Sequence, residues 1–168
     1  STEGGERLIW AFVEDVTQRR RADFQLRASE KRIATILDTM VDALIAAAED
    51  RLGGIDVLIN NAGLGTSKRV VEMGDDEWHK VIDVTLTGTF RMTRAALRVM
   101  QPRGRGVIVN NASVLGWRAQ TEQAHYAAAK AGVMALTRCA ALEAAEFGVR
   151  INAVAPSIAI HAFLKKSA

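Results

Sequence analysis

Ile55-Asp56-Val57-Leu58-Ile59-Asn60-Asn61-Ala62-Gly63 is a short apolar run that gives way at once to amide and small side chains. A run of that length and composition reads as a strand of a buried parallel sheet, and Gly53-Gly54 in front of it stops the helix that precedes. A strand ending in small residues lets backbone approach a flat ligand closely; the alternative is an ordinary strand-to-loop turn. Outward from this stretch the pattern repeats. Val70 to Gly74 is loop or a short helical turn, and Asp75 can cap a helix running to about Met100. The apolar positions of that helix, among them Trp78, Val81, Ile82, Leu86, Phe90, Ala96 and Met100, spread widely enough to bury more than one side. After the turn at Gln101–Gly106, Val107 to Asn110 is a second strand. An Ala-rich helix follows from about Gln123 to Phe147, closed by Gly148, and Val149 to Val154 is a third strand ended by Pro156.

Strands alternating with helices predict an α/β fold with a parallel sheet, its crossovers right-handed. Ligands of such sheets bind at the carboxyl ends of the strands. Asn60, Ser113 and Pro156 fall at those ends. The third helix carries His125-Tyr126-Ala127-Ala128-Ala129-Lys130, with tyrosine and lysine four apart and so on one helix face. A cation beside a phenol favours the phenolate and lowers a tyrosine pKa from its reference of about 10. A phenol tuned that way can give a proton to a carbonyl oxygen or take one from an alcohol. A hydroxyl at Ser113 can hydrogen-bond the same oxygen. Taken alone, a Tyr and a Lys spaced this way describe a surface pair on an Ala-rich helix; the convergence of the strand ends favours chemistry.

Composition narrows the function classes. At 168 residues and 49% hydrophobic, the chain has the material for one domain with a real core. A net charge of +3, with no basic stripe interleaved with aromatics, does not suggest nucleic acid. Cys139 is the single cysteine, which excludes a disulfide framework and a cysteine metal site, and no metal is expected. No apolar run approaches membrane-spanning length and the acidic N-terminus does not read as a signal peptide, so the expected compartment is the cytoplasm and no membrane partner is expected.

Towards the N-terminus, Arg7 to Val13 reads as a strand and the stretch from about Gln18 to Leu52 as a long helix without Gly or Pro. Leu26, Ile33, Leu37, Met40 and Leu44 recur at intervals of seven, four, three and four. That stripe fits a coiled-coil or bundle seam and, equally, an amphipathic helix packed on its own domain. Trp10-Ala11-Phe12-Val13-Glu14-Asp15-Val16-Thr17 and the following Ile36-Leu37-Asp38-Thr39-Met40-Val41-Asp42-Ala43-Leu44 resemble the last strand of a PAS sensor domain and its linker helix. Nearly all of a PAS ligand-binding core is absent, so no sensing function follows. The resulting domain expectation is a PAS-like strand and linker helix over 1–45, then a truncated Rossmann-like domain over 46–168.

Asn60-Asn61-Ala62-Gly63, Ser113, Tyr126-Ala127-Ala128-Ala129-Lys130 and Asn152-Ala153-Val154-Ala155-Pro156 stand in the order and spacing of the short-chain dehydrogenase/reductase family, which the chain resembles over residues 41–168. The resemblance implies a partial Rossmann-like parallel sheet, three strands with flanking helices, preceded by a strand and a long helix. It implies Tyr126 as general acid/base, Ser113 orienting the carbonyl, and Lys130 assisting the tyrosine and holding the nicotinamide ribose of NAD or NADP. Asn60, Ala62 and Gly63 would border the adenosine, and Pro156, Ser157 and Ile158 the nicotinamide. Thr85 stands where the family usually has an asparagine that supports a proton relay to the lysine. Ser113-Val114-Leu115-Gly116-Trp117-Arg118-Ala119-Gln120, with Pro156-Ser157-Ile158-Ala159 and His161, is similar to actinobacterial members acting in sterol ring breakdown. That likeness implies a small-molecule hydroxy or keto substrate of steroid origin. Family members commonly dimerise through the helices matching 75–100 and 123–147, which implies a homo-oligomer.

The family opens on a T-G-x-x-x-G-x-G turn that holds the pyrophosphate at a helix N-terminus. No such turn stands in this sequence; Gly63-Leu64-Gly65 and Gly104-Arg105-Gly106 are isolated pairs. Weak dinucleotide binding by this chain is the expectation. The alternatives to an oxidoreductase are a helix-mediated oligomerisation or signalling-linker module and an inactive fusion fragment.

Overall fold

The computed structural model describes residues 24–25, 28–29, 32–33 and 35–157. The strand expected at Arg7–Val13, Leu26 of the seam, and Ile158 and His161 lie outside them. The chain divides into two compact units, Ser1–Met40 and Val41–Ala168. In the first, the described residues are helical, and Ile33, Ile36, Leu37 and Met40 are exposed.

The second unit is an α/β layer. Helix α1 (residues 41–52) ends at Gly53, which adopts φ +73°. Strands β1 (Val57–Asn60), β2 (Gly106–Asn111) and β3 (Val149–Val154) are parallel, in the order β1-β2-β3. Register aligns Leu58 with Ile108 and Ile108 with Ile151. Those positions point at the helices: Ala96 and Met100 from one helix and Ala140 and Ala144 from another close over Ile108, Val149 and Ile151 as the core. Small side chains at 96, 140 and 144 let backbone lie close to the sheet. A methyl group on Gly106 would overlap Met100, so the absent side chain is part of the same packing.

The alternate face departs from the expectation of a strand buried on both sides. Val57, Ile59 and Val154 are 57%, 65% and 50% exposed, and no described helix covers them. The apolar run predicted a two-sided environment, and the described residues supply one side of it.

The helix expected from 75 to 100 is three pieces. Helix α2 (Asp75–Ile82) begins after Gly74, which takes the cap position expected of Asp75; Asp75, Asp76 and Glu77 fill the first turn, where acidic groups complement the helix dipole. A π-helical turn, Asp83–Thr87, follows, and then α3 (Gly88–Met100). Threonine hydroxyls that bond backwards compete with the regular ladder; here Thr89 Oγ1 donates to the Thr85 carbonyl at 2.8 Å. The short helical turn expected near Val70 is a 3-10 turn, Val70–Glu72.

Helix α4 (Ala124–Ala145) matches its expected span closely. Gly148, at φ +70°, closes its exit; a Cβ there would stand 2.6 Å from the Gly104 carbonyl oxygen, so only glycine lets the chain turn into β3. At the same end of the sheet, Arg103 donates to the Ile55 carbonyl at 2.9 Å and pairs with Asp56 at 2.8 Å, joining the exit of α3 to the entry of β1. Among the described residues no helix is long and apolar enough to cross a membrane.

Candidate active site

Tyr126 and Lys130 sit on the first two turns of α4, against the carboxyl ends of the strands. The Lys130 ammonium lies 5.5 Å from the centroid of the Tyr126 ring, and Lys130 is only 3% exposed. The Asn111 carbonyl, at the end of β2, accepts from its Nζ at 2.5 Å. That carbonyl is a strand terminus with no partner further along the ladder, which is why it can aim a buried cation at the phenol. Tyr126 itself is half-buried.

Ser113 lies two residues beyond Asn111, 8% exposed, and its hydroxyl oxygen accepts from the Leu115 amide at 3.2 Å. With one lone pair so engaged, its proton remains available to a substrate oxygen. The turn it caps, Val114–Gly116, lies against α4: a methyl on Gly116 would meet Met134 at 2.8 Å and the Ala131 nitrogen at 3.3 Å. The Pro156 carbonyl accepts from the Val114 amide at 3.1 Å, bringing the loop after β3 beside the serine. Pro156 and Ser157 are exposed. Asn111 thus links two of the three expected reacting side chains: its carbonyl holds Lys130, and Ser113 follows it along the chain.

The loop after β1 forms the opposite wall. A Cβ on Gly63 would stand 3.4 Å from Lys130 Nζ, and one on Gly65 would stand 3.1 Å from Cδ2 of Tyr126. The loop backbone at Gly63 and Gly65 therefore lies close to the ammonium and to the ring, with no side chain of its own between. Ala62, in the same loop, is exposed. Thr85, wholly buried, receives the Leu64 amide at 3.0 Å and donates to the Leu64 carbonyl at 3.2 Å. Its hydroxyl proton and one of its lone pairs hold the loop.

Asn60, expected to border the adenosine, turns its side chain inward. It is 8% exposed, and its amide donates to Thr93 at 3.1 Å and to Asn110 at 2.9 Å, inside the layer. Asn61, one residue on, points outward and accepts from Asn111 at 2.6 Å. Sequence reading also passed over Thr66, Glu77 and His125, whose side chains meet: Thr66 Oγ1 lies 2.9 Å from Glu77 Oε1 and 2.7 Å from His125 Nε2. Adjacency of His125 to Tyr126 was the available signal, since neighbours on a helix point about 100° apart and the other face of this helix is the core. Among the described residues no cluster of His, Cys, Asp or Glu could hold a metal.

Burial lowers the pKa of Lys130 from the 10.5 of a solvated lysine. The unfolded chain keeps that proton to higher pH than the folded one. Between the lowered folded value and 10.5 the unfolded state therefore binds more protons, and stability rises with pH across that window. Below the window the penalty of burying the charge is present in full. Denaturation of the protein and of Lys130→Met from pH 7 upward should show a rising difference in favour of the parent, flattening near 10.5. A constant difference would refute it.

The profile of the family described as short chain dehydrogenase matches residues 9–167. Similarity is 68% identity over 130 residues, 76% of this chain and 49% of the relative, to the (5R,7aS)-5-hydroxy-7a-methyl-1-oxo-2,3,5,6,7,7a-hexahydro-1H-indene-carboxyl-CoA reductase of Mycobacterium tuberculosis. It is 41% over 116 residues, 69% of this chain and 48% of the relative, to a 3-oxoacyl-(acyl-carrier-protein) reductase of Vibrio cholerae. A crystal structure of a short chain dehydrogenase from Mycobacterium smegmatis superposes with a TM-score of 0.71 at 64% identity, covering 73% of this chain and 52% of that one. The chain spans about half the length of the curated relatives it matches. The PAS likeness of residues 5–45 finds no support, because the dehydrogenase profile already begins at residue 9.

Proposed function

Because the chain belongs to the short chain dehydrogenase family, we propose that it carries the acid–base half of an NAD- or NADP-dependent oxidoreductase that interconverts a secondary alcohol and a ketone. The observation that bears most on this is the Lys130 ammonium held by the Asn111 carbonyl 5.5 Å from the Tyr126 ring. When a ketone is reduced, the Tyr126 hydroxyl gives its proton to the substrate oxygen as charge develops there. Lys130 stabilises the phenolate left behind. The Ser113 proton, free of the Leu115 contact, hydrogen-bonds the same oxygen and orients it. In oxidation the same groups act in reverse, with Tyr126 taking the alcohol proton.

The residues present fit the nicotinamide-ribose end of a dinucleotide. Gly63 leaves a space beside Lys130 Nζ that a Cβ would enter, and Lys130 can donate further protons beyond the one taken by Asn111. Bound there, the dinucleotide supplies or accepts the hydride. Lys130 would hold the nicotinamide ribose, Ala62 and Gly63 would border the adenosine, and Pro156, Ser157 and Ile158 the nicotinamide. Asn60 contributes from within, by fixing the end of β1.

For substrate we propose a bulky hydroxy or keto compound of steroid origin, supported by the fused indene ring and CoA thioester named for the mycobacterial relative. Phe90, Leu142 and Phe147, 42%, 78% and 46% exposed on or beside α3 and α4, support a homo-oligomer formed through those helices. We also propose a domain boundary near residue 45 and a cytoplasmic compartment.

Titration with NADH and with NADPH, followed by a panel of ketones at millimolar dinucleotide, tests the reading. The sequence has no glycine-rich pyrophosphate turn, and each charge-assisted hydrogen bond such a turn would donate is worth about 1.5–3 kcal/mol. Binding is therefore expected to be weaker than micromolar, with slow ketone-dependent oxidation of one dinucleotide. Low-micromolar binding would contradict the expected weakness; no binding and no turnover at any concentration would overturn the function.

A further inference from the structure

We propose that His125 is a positioning residue for Tyr126: with Thr66 and Glu77 it latches the loop after β1 across one edge of the phenol. The proposal rests on the reading of Tyr126 as the acid–base group. Its geometry is a chain of three side chains from three elements. Thr66 Oγ1 is 2.9 Å from Glu77 Oε1, and a carboxylate oxygen only accepts, so the single hydroxyl proton of Thr66 points at Glu77. The hydrogen bond of 2.7 Å between Thr66 Oγ1 and His125 Nε2 must then be donated by the imidazole. That assigns the Nε2–H tautomer by the network. Nδ1 is left inside the protein with no partner among the described residues, and His125 is 0% exposed. A wholly buried imidazole that spends its one donor on an exposed loop residue is placed to hold that loop.

The rest of the strap is anchored on the same helix terminus. Gln123 donates to the Thr66 carbonyl at 3.0 Å and to Ser67 Oγ at 3.0 Å, and the Lys68 amide donates to the Glu122 carbonyl at 3.0 Å. On the other side, Leu64 is fixed by Thr85. Gly65 is held between these two anchors. A Cβ on it would stand 3.1 Å from Cδ2 of Tyr126 and 3.4 Å from Cε2, so its backbone lies along one edge of the ring. Successive residues of α4 therefore do paired work: His125 reaches inward and fixes the loop, and the loop limits the swing of the next residue. A proton donor misplaced by about 1 Å can cost on the order of 100-fold in rate, which is what such a latch guards against.

Tyr126 is the sole tyrosine of the sequence, so its chemistry is read without interference. Tetranitromethane attacks the ring carbon beside the hydroxyl, and Gly65 covers one of the two. In Thr66→Val, an exposed position whose loss should not threaten folding, nitration measured by mass spectrometry should run faster, by up to about twofold, as the second carbon becomes reachable. Amide exchange at 64–68 should quicken on the order of tenfold, the loss of about one charge-assisted hydrogen bond. His125→Ala should do the same, and His125→Gln, whose amide can still donate to Thr66, should return both rates towards the parent. Thr66→Val decides the matter alone if His125→Ala does not fold. Unchanged nitration in folded Thr66→Val overturns the proposal, even with a loosened loop, since the latch would then not act on the phenol. Neither measurement needs turnover, so a chain that reduces no ketone still answers.

Discussion

Tyr126→Phe is expected to lower the rate of ketone reduction at millimolar dinucleotide by roughly 100- to 10,000-fold, the usual worth of a positioned general acid. The substitution removes one oxygen and keeps the ring, so the packing of Gly65 and the placement of Lys130 beside it survive. The fold should be unaffected because a half-buried ring stays in place and only its oxygen is lost. A loss of that size corresponds to roughly 3–5.5 kcal/mol of barrier. Lys130→Met should reproduce much of it with the phenol intact, since the phenolate then forms without a cation beside it. Rates for Tyr126→Phe within threefold of the parent, at equal dinucleotide occupancy, would remove the phenol from the mechanism and with it the proposed chemistry.

The architecture was legible because each strand carries its own punctuation. Gly53-Gly54, Gly148 and Pro156 bound apolar runs whose type has no helical alternative, and β3 runs over the predicted Val149–Val154. The pairing of Tyr126 with Lys130 follows from helical spacing alone, and the structure brings them together. Legibility ended where one residue's direction depends on another element. The π-turn at Asp83–Thr87 shifts the helical phase by a residue, which no periodicity in that stretch announces, and that shift aims Thr85 at Leu64. The four asparagines Asn60, Asn61, Asn110 and Asn111 look alike in sequence, yet alternate sides of the pleat send Asn60 and Asn110 into the layer and turn Asn61 and Asn111 out. The apolar run of β1 did not disclose that one of its faces is exposed, because the same side chains serve whichever partner covers them.

Asn110→Ala is the expected large effect on stability, about 2–4 kcal/mol. Asn110 is 0% exposed and sits at the centre of a buried polar chain: Asn60 donates to its Oδ1 at 2.9 Å, and its own amide donates to Thr137 Oγ1 at 2.9 Å. Asn60 donates its other proton to Thr93 at 3.1 Å, and Thr137 donates to the Val133 carbonyl at 2.7 Å. Two strands and two helices are therefore joined by buried side chains. Alanine leaves one Asn60 proton without an acceptor, at a cost of about 1–3 kcal/mol, and adds a void beside it. Asn61→Ala, at an exposed position, removes the pair with Asn111 and should cost within about 0.5 kcal/mol. Denaturant midpoints for the two variants should differ accordingly, and equal midpoints would show that the buried chain does not hold the layer. The effect reaches the site as well. Asn111, whose carbonyl aims Lys130 at the phenol, follows Asn110 directly, so Asn110→Ala should also shrink the pH-dependent stability difference that Lys130→Met reveals.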